Sequence, residues 1–468
     1  MNDKALRGYD AVGEVEVSPL AEVFENGWQS WSPSGWYQAS ESGPMPRSAA
    51  GCIMGYRPAA PRWQGAFQSE GVMAVEQEGQ TVVLASRVPH EPVTFRAWRE
   101  GHRLRIVANG EVSVRVGARP APLMLAEWAG EVAAAVGCGR LRSLPAGWCS
   151  WYCYERLVTE ELVLRQVRLA SELRLPIEVF LVDEGYEVAL GDWLIERDGF
   201  GELARLARTV RAEGKVPGLW LAPFVVAAES GIARAHPEWL LVGVDAGHVW
   251  GSDLLVVDSW NDEAVAHVVE VFVRLVEMGF GLFKLDFLYA GLRGGGSRSV
   301  TALEDVDGYR RLLSSIRKAI GPEPYLLGCG APLFASIGLF DSMRVSCDVG
   351  VHWGEPAGYL DGRPTEVWYP SGVRAVRSGA ARAFAHGVWW VNDPDCLIAR
   401  PEMEQRECWA KYLEASGGMR FSGDALEDLD PWGLDTARLL LRGVSPAPLS
   451  DSALVAVDQL GRELRPRA

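Results

Sequence analysis

Residues 281–289 read GLFKLDFLY, an apolar strand interrupted by Lys284 and Asp286. Burying an unpaired charge costs on the order of several kcal/mol, so each of these side chains needs a partner or a function. Successive side chains of a strand point to opposite faces, which places Lys284 and Asp286 on the same face. The other face carries three apolar residues: Phe283, Leu285 and Phe287. The pattern predicts an apolar face against helices and a charged face that points into a barrel mouth.

Strand-like and helix-like segments alternate on both sides of this stretch, from about residue 143 onward. Eight strands alternating with amphipathic helices over about 300 residues are typical of a (β/α)8 barrel. The strand candidates are 145–152, 177–186, 216–224, 279–288, 323–332, 342–350, 388–396 and 416–423. A doubly wound open sheet is the alternative, but its usual glycine-rich turn is missing after the first strand, in SWYCYERL.

The first part of the chain has a different pattern. Short apolar runs alternate with turns, and VANGEVSV contains an Asn-Gly hairpin signal. We therefore predict an all-β sandwich domain in residues 1–140 and the barrel in 141–443. The last residues, 444–468, are predicted to form a short β segment of one or two strands. No Ser/Gly linker separates the first two parts, so we expect them to pack tightly.

Composition and charge narrow the class of protein. The chain has 468 residues, with 61 acidic and 46 basic side chains and a net charge of −15. This balance argues against nucleic acid or an anionic membrane as a partner and suits a neutral small molecule. No run of signal-peptide length opens the chain and no membrane-spanning stretch is expected. The eight scattered cysteines are interpreted as reduced thiols in a cytoplasmic protein.

Polar and aromatic side chains gather at the predicted carboxyl ends of the strands, where such barrels carry their active sites. Arg344 and Asp348 on the sixth strand repeat the cation–carboxylate arrangement of the fourth. Many of the 19 tryptophans lie at strand ends or in loops, where an indole can stack on a sugar ring. Two carboxylates across a neutral, tryptophan-lined pocket indicate glycoside hydrolysis, with one ionised and the other protonated. A structural ion-pair layer inside the barrel is the alternative interpretation.

Motifs across residues 145–430 resemble, in order, those of the α-galactosidases of glycoside hydrolase family 36. The matching segments are GWCSWY, GLWLAPF, FKLDFLYAG, LGCGAPL, MRVSCDVGVHWG and VNDPDCL. The resemblance implies a retaining α-galactosidase that acts by double displacement on a terminal α-galactosyl unit, without a metal or organic cofactor. The nucleophile of the family's KxD motif falls on Asp286, and the acid/base of its RxxxD motif falls on Asp348.

The same resemblance implies a set of substrate-binding residues. They are Lys284 and Arg344 as ligands of sugar hydroxyls, Trp220 and Trp151 as pocket walls, Cys329 beside the sugar 2-substituent, and Trp31, in ENGWQSWSP, reaching in from the β domain. The family usually has two aspartates after the second strand, where they hold O4 and O6 of galactose. This chain has Asp183 and Glu184 instead, and the longer glutamate leaves strict galactose specificity open.

Other functions remain open at this point. The same chemistry could act on α-N-acetylgalactosamine, if the surroundings of Cys329 open, or transfer galactose to an acceptor sugar. A catalytically silent carbohydrate-binding protein would not need both Asp286 and Asp348. A metal-dependent barrel hydrolase would need ligand clusters, which the seven isolated histidines do not supply. The expected partner is a small oligosaccharide, and its length, its aglycone and the oligomeric state are left open.

Overall fold

A computed structural model of the chain describes residues 8–46, 48–58, 60–88, 90–91, 93–293, 302–354, 359–360, 363–364 and 369–464. Its first nine strands are β1 Asp10–Glu16, β2 Glu22–Glu25, β3 Gly35–Gln38, β4 Phe67–Glu70, β5 Val72–Gln77, β6 Gln80–Ser86, β7 Thr94–Glu100, β8 Arg103–Ala108 and β9 Val112–Gly117. They form two antiparallel sheets, of order β1-β8-β7-β4 and β3-β2-β5-β6-β9. Apolar side chains of both sheets share one core, as a sandwich requires.

The middle of the five-stranded sheet is buried on both faces. Along β5, Met73 and Val75 point into the sandwich core, whereas Val72 and Ala74 join the core shared with the barrel. The period of two along the strand produces this division. The expected tight packing of the two parts is therefore confirmed, while the exact domain boundaries remain a prediction.

Two helices interrupt the predicted all-β region: α1, Ala49–Gly55, and α2, Ala121–Val136. Helix α2 begins directly after Pro120 and ends at Gly137, whose φ of 73° is the left-handed conformation that glycine tolerates. Buried residues recur along it with helical spacing: Ala121, Leu125, Trp128 and Val132. Alanines on most sides of the helix obscure this period in the sequence.

The barrel prediction is confirmed. Its eight strands are β10 Gly147–Cys149, β11 Val179–Val182, β12 Val216–Leu221, β16 Leu282–Leu285, β17 Tyr325–Gly328, β18 Ser342–Arg344, β21 Val391–Asp393 and β22 Phe421–Ser422. All paired neighbours are parallel, and their order is β21-β18-β17-β16-β12-β11-β10-β22. Beyond β21, Leu397 closes the ring, since its N–H donates to Phe421 O at 2.7 Å and its carbonyl accepts from Gly423 N at 2.9 Å.

Smaller strands lie in the loops after the third and sixth barrel strands: β13 Val225–Ala227, β14 His248–Val249, β15 Ser252–Val256, β19 Tyr359–Leu360 and β20 Arg363–Pro364. The remaining helices are α3 Trp151–Tyr154, α4 Glu160–Glu172, α5 Leu203–Ala212, α6 Gly231–Ala235, α7 Asp262–Met278, α8 Ala302–Ile320, α9 Leu333–Ser336, α10 Gly372–Ala381, α11 Arg406–Ser416, α12 Pro431–Leu440 and α13 Asp451–Glu463. Short 3-10 turns span Glu155–Leu157, Pro237–Trp239, Leu288–Leu292, Ala383–Ala385 and Leu426–Asp428. Within the described ranges, none of the helices combines the length and the apolar character needed to cross a membrane.

The predicted C-terminal β segment is wrong, because residues 451–463 form helix α13. Ser450 caps the helix by accepting the N–H of Ala453 at 3.3 Å. On its buried face, Asp458 accepts the Trp36 indole N–H at 2.9 Å, and the Arg462 guanidinium carbon lies 3.8 Å from the Trp36 ring centre. The helix thus docks on the N-terminal sheet, a contact that local sequence does not reveal. Residues 465–468 lie outside the described residues.

Candidate active site

The fourth barrel strand places Lys284 and Asp286 as predicted, at the mouth of the barrel. Lys284 Nζ lies 2.8 Å from Asp183 Oδ2 and 3.9 Å from Asp286 Oδ2. Burial lowers the pKa of Lys284, but the charges of Asp183 and Asp286 outweigh it and raise the pKa well above its ordinary value. Lys284 is therefore a charged side chain that links the ends of the second and fourth strands.

Asp286 is buried and its two oxygens have different donors. The Trp220 indole N–H donates to Oδ2 at 3.0 Å, and the Phe287 backbone N–H donates to Oδ1 at 2.7 Å. Burial raises the pKa of Asp286 above its ordinary value, while Lys284, Trp220 and Phe287 act in the opposite direction. These donors also orient the carboxylate, because each fixes one oxygen.

The apolar face of this strand follows the prediction only in part. Phe283 packs on helix α7, with its ring centre 5.3 Å from that of Phe272. Phe287 was expected on the same face, but its φ of 50° takes the backbone out of the strand conformation. The Phe287 ring turns to the barrel mouth, where it meets the edge of Trp220 at 6.1 Å. The prediction for Phe287 is therefore wrong, because strand alternation ends at Asp286.

Arg344, at the end of the sixth strand, pairs with three carboxylates. Its nitrogens lie 2.7 Å from Asp348, 3.0 Å from Asp393 and 2.8 Å from Asp395. The Asp348 side chain is 29% exposed, whereas those of Asp393 and Asp395 are 3% and 0% exposed. Of these three carboxyls, Asp348 alone is accessible to a substrate.

The two buried carboxyls that pair with Arg344, those of Asp393 and Asp395, also accept hydrogen bonds from nearby groups. Asp393 accepts the Asp395 N–H at 2.9 Å, and Asp395 accepts the Val349 N–H at 2.7 Å and the Tyr152 hydroxyl. Burial raises the pKa of Asp395 to about 7, with Arg344 acting in the opposite direction. Asp393 and Asp395 therefore support the turn after the seventh strand, as the NDPD sequence suggests.

Cys329, at the end of the fifth strand, lies between the two cation–carboxylate pairs. Its thiol is fully buried, and burial raises its pKa well above the ordinary value. The charges of Asp286 and Asp348 raise this pKa further, whereas Arg344 and Lys284 lower it. Because β17 lies between β16 and β18 in the barrel sheet, Cys329 at its end lies between the two pairs, and the structure brings both pairs to neighbouring strand ends.

An aromatic wall surrounds this group. Trp31, Trp220 and Trp250 pack around Phe287 with ring centres at 5.7, 6.1 and 5.8 Å, and Trp151 packs on Trp250 at 5.8 Å. The three predicted tryptophans therefore lie together. Trp250 was not predicted, because it belongs to a loop beyond the third strand, between β14 and β15, and carries no strand-end signal.

Asp183 and Glu184 contact different side chains. Asp183 accepts from Lys284 and from the Cys149 thiol, at 2.8 and 3.3 Å, whereas Glu184 pairs with Arg156 Nε at 2.9 Å. Burial raises the pKa of Glu184 to about 8, and the neighbouring Glu187 adds to this while Arg156 opposes it. Arg156 and Glu187 were not predicted, since both lie in irregular segments near the first two strands.

Glu187 is a buried carboxyl that forms no salt bridge within the described part of the chain, although the charge of Arg156 lowers its pKa. Neither of its oxygens has a hydrogen-bond partner within the described part of the chain. Burial raises the pKa of Glu187 from about 4.5 to about 7. The backbone N–H groups of Glu187 and Gly185 act in the opposite direction, but neither makes a hydrogen bond of normal geometry.

Among the described residues, no three His, Cys, Asp or Glu side chains are grouped so that they could hold a metal ion.

Replacing Glu187 by glutamine is expected to stabilise the protein at alkaline pH. The folded-state pKa of about 7 exceeds the unfolded value of about 4.5, so the folded state binds more protons and stability falls as pH rises through this window. The difference corresponds to about 3 kcal/mol at alkaline pH. Thermal unfolding midpoints near pH 5 and pH 8.5, with exposed Glu172→Gln as control, measure it. Equal stabilisation at both pH values, or destabilisation at the higher one, would contradict the assignment.

Comparisons with known proteins find similarity to α-galactosidases. A family model described as Melibiase matches residues 160–287. Alpha-galactosidase AgaA of Geobacillus stearothermophilus is 29% identical over 125 residues, which are 25% of this chain and 17% of that protein. Alpha-galactosidase 2 of Pediococcus pentosaceus is 26% identical over 157 residues, 31% of this chain and 21% of that protein. In sequence, the chain thus matches less than a quarter of the length of either curated relative.

A solved structure matches over a longer range. The α-galactosidase TtGalA of Thermus thermophilus, in complex with p-nitrophenyl α-D-galactopyranoside, is 28% identical, with a TM-score of 0.75. The match covers 92% of this chain and 91% of that chain. In its motifs, its fold and these matches, the chain is similar to the melibiase-type α-galactosidases of glycoside hydrolase family 36.

Proposed function

We propose that this chain is a retaining α-galactosidase that removes terminal non-reducing α-D-galactosyl residues from oligosaccharides. One observation carries the proposal: two carboxyls, each paired with a cation, lie at the ends of barrel strands on either side of β17 and next to a cluster of aromatic rings. Asp286 is the buried, donor-held carboxylate, and Asp348 is the accessible one. This asymmetry suits a nucleophile and an acid/base.

In the first step, an Asp286 oxygen attacks C1 of the galactosyl unit. Asp348 donates its proton to the glycosidic oxygen, the bond from C1 to that oxygen breaks, and the aglycone leaves as an alcohol. The product is a galactosyl ester of Asp286. The N–H donors of Trp220 and Phe287 hold the carboxylate in one orientation before attack, which lowers the entropic cost of the step.

In the second step, water attacks the same carbon and the bond to Asp286 breaks. Asp348, now ionised, takes a proton from that water and returns to its acid form. Arg344, at 2.7 Å, holds the Asp348 side chain in place. Two displacements at C1 restore the α configuration.

We further propose that the sugar is held by residues around this pair: Trp31, Trp151, Asp183, Glu184, Trp220, Lys284, Cys329 and Arg344. TtGalA has been solved with p-nitrophenyl α-D-galactopyranoside and with stachyose, which supports a galactosyl oligosaccharide as substrate here. Arg156 engages Glu184 Oε1, whereas Glu184 Oε2 has no hydrogen-bond partner among the described residues and is available for a sugar hydroxyl. The eight free cysteines support a reducing, cytoplasmic location.

Initial rates on four nitrophenyl glycosides test this function. The α-galactoside is expected to be hydrolysed, and the α-glucoside and β-galactoside are not. The α-N-acetylgalactosaminide is expected to react at least about 100-fold more slowly, because Cys329, which the proposal places beside the sugar 2-substituent, is fully buried. Proton NMR should show α-galactose as the first product, before mutarotation. First release of β-galactose, or preference for another glycoside, would contradict the proposal.

A further inference from the structure

A single buried guanidinium from the barrel holds the loop that carries Trp31, residues 26–34. It belongs to Arg382, which follows helix α10 and is 1% exposed. Its nitrogens donate to one side-chain oxygen and five backbone carbonyls: Asn26 Oδ1 at 3.4 Å, Gly27 O at 3.4 Å, Gln29 O at 3.1 Å, Ser30 O at 2.6 Å, Ser32 O at 3.0 Å and Val345 O at 2.7 Å. All but the last of these acceptors belong to the loop.

Arg382 has no carboxylate partner among the described residues, which is unusual for a buried cation. Burial lowers its pKa to about 9. The backbone carbonyls of the loop therefore take the place of a counter-ion. A planar guanidinium can serve several carbonyls in fixed directions, which the three donors of a lysine ammonium cannot.

The same loop also contacts the fifth barrel strand's exit. Ser30 N donates to Ala331 O at 3.0 Å, and Ala331 N donates to Ser30 Oγ at 2.8 Å. Arg382 holds the other side of the loop and, through Val345 O, joins it to the residue after Arg344. The loop thus lies between the exits of the fifth and sixth strands.

This docking delivers Trp31 to the site. A Cβ atom added at Gly330 would lie 3.1 Å from Asp286 Oδ1 and 3.2 Å from Trp31 Cη2, so the indole and the carboxylate flank the same glycine. The Trp31 indole N–H is buried and has no hydrogen-bond partner within the described residues. A buried donor without a partner is costly, so it is available for a ligand that fills the mouth.

We propose that Arg382 is a positioning residue, which clamps loop 26–34 onto the barrel so that the Trp31 indole lines the sugar site. This inference rests on the proposed function, because it assigns Arg382 to that same site. Arg382 itself does not contact the reacting atoms. Its effect on the substrate is assigned to Trp31, which the clamped loop carries.

A double-mutant cycle on nitrophenyl α-galactoside tests the proposal. Arg382→Lys is expected to lower kcat/KM roughly 10-fold, mainly by raising KM, because several loop carbonyls lose the N–H groups that donate to them. Made on top of Trp31→Ala, the same change should cost less than about 2-fold, since Trp31 is the route of the effect. Equal losses in both backgrounds, or a loss confined to kcat, would overturn the proposal.

Arg420→Lys is the matched control. Arg420 is also a buried arginine whose guanidinium donates to backbone carbonyls, those of Leu413 and Glu414, but it does not touch the loop. Its replacement should leave kcat/KM within about 2-fold of wild type. A KM increase equal to that of Arg382→Lys would mean that any buried arginine has the same effect, and the proposal would fail.

Hydrogen–deuterium exchange provides a test that does not depend on activity. Peptides covering 26–34 should exchange as slowly as barrel strands in the wild-type protein and markedly faster in Arg382→Lys, while β12 peptides stay unchanged. Fast exchange of peptides 26–34 in the wild-type protein, or equal exchange of these peptides in the wild type and Arg382→Lys, would overturn the proposal. Absence of α-galactoside hydrolysis by the wild type would refute the proposed function instead, and the exchange result would still decide the clamp.

Discussion

Asp286→Ala is expected to reduce kcat/KM for nitrophenyl α-galactoside by about 10⁴-fold or more, because it removes the group that forms the bond to C1. Asp286→Asn should lose a similar amount, since the amide keeps the size of the side chain but is a poor nucleophile. The assay is initial rate per mole of folded protein. Asp341→Asn, which changes a carboxyl that pairs with Arg317 away from the mouth, should keep most of the activity.

Azide provides a sharper test of the same residue. The space left by the Asp286 carboxylate should admit azide, which attacks C1 from the face opposite the aglycone. The product is then β-galactosyl azide, formed by one inversion. Activity of Asp286→Ala within about 10-fold of wild type without azide, or an α-galactosyl azide product, would contradict the role of nucleophile.

Asp348→Ala is expected to give a loss that depends on the aglycone. Without the acid, an oligosaccharide substrate should lose about 10⁴-fold in kcat/KM, because its alkoxide leaves poorly. The nitrophenyl galactoside needs less protonation, so its first step should be less affected and the ester of Asp286 should accumulate. Its kcat and KM should therefore both fall, and the comparison of the two substrates is the measurement.

Azide should accelerate this second variant on the nitrophenyl substrate, because it attacks the galactosyl ester without needing a base. The product should be α-galactosyl azide, the opposite anomer from that of Asp286→Ala. Equal losses on both aglycones, or the β-azide, would show that Asp348 is not the acid/base.

Much of the fold could be predicted from local patterns. The barrel strands are short apolar runs that alternate with helices, and several of these helices have a capping residue, such as Asn261, which accepts two N–H groups at the start of α7. The two cation–carboxylate pairs were equally visible, because both members of each pair lie within five residues. Lys284 and Asp286 are two residues apart on one strand face, and Arg344 pairs with Asp348 four residues further along the chain.

Other features depend on contacts between distant segments. Trp250 and Arg156 reach the mouth from loops whose course no local rule predicts, and Arg382 meets residues more than 300 positions earlier in the chain. The C-terminal helix was misjudged because alternating Ala and Val in SALVAV also fits a strand. Its contact with Trp36, which selects the buried face, lies 422 residues away in sequence.

Trapping of the galactosyl ester tests the central claim most directly. The wild-type protein would be treated with a fluorinated galactosyl fluoride, which forms the ester faster than water removes it, and its peptides analysed by mass spectrometry. The account predicts one galactosyl unit per chain, attached to the peptide that contains Asp286 and absent after Asp286→Ala. A label on Asp348 or on another residue, or catalysis without any covalent label, would contradict it.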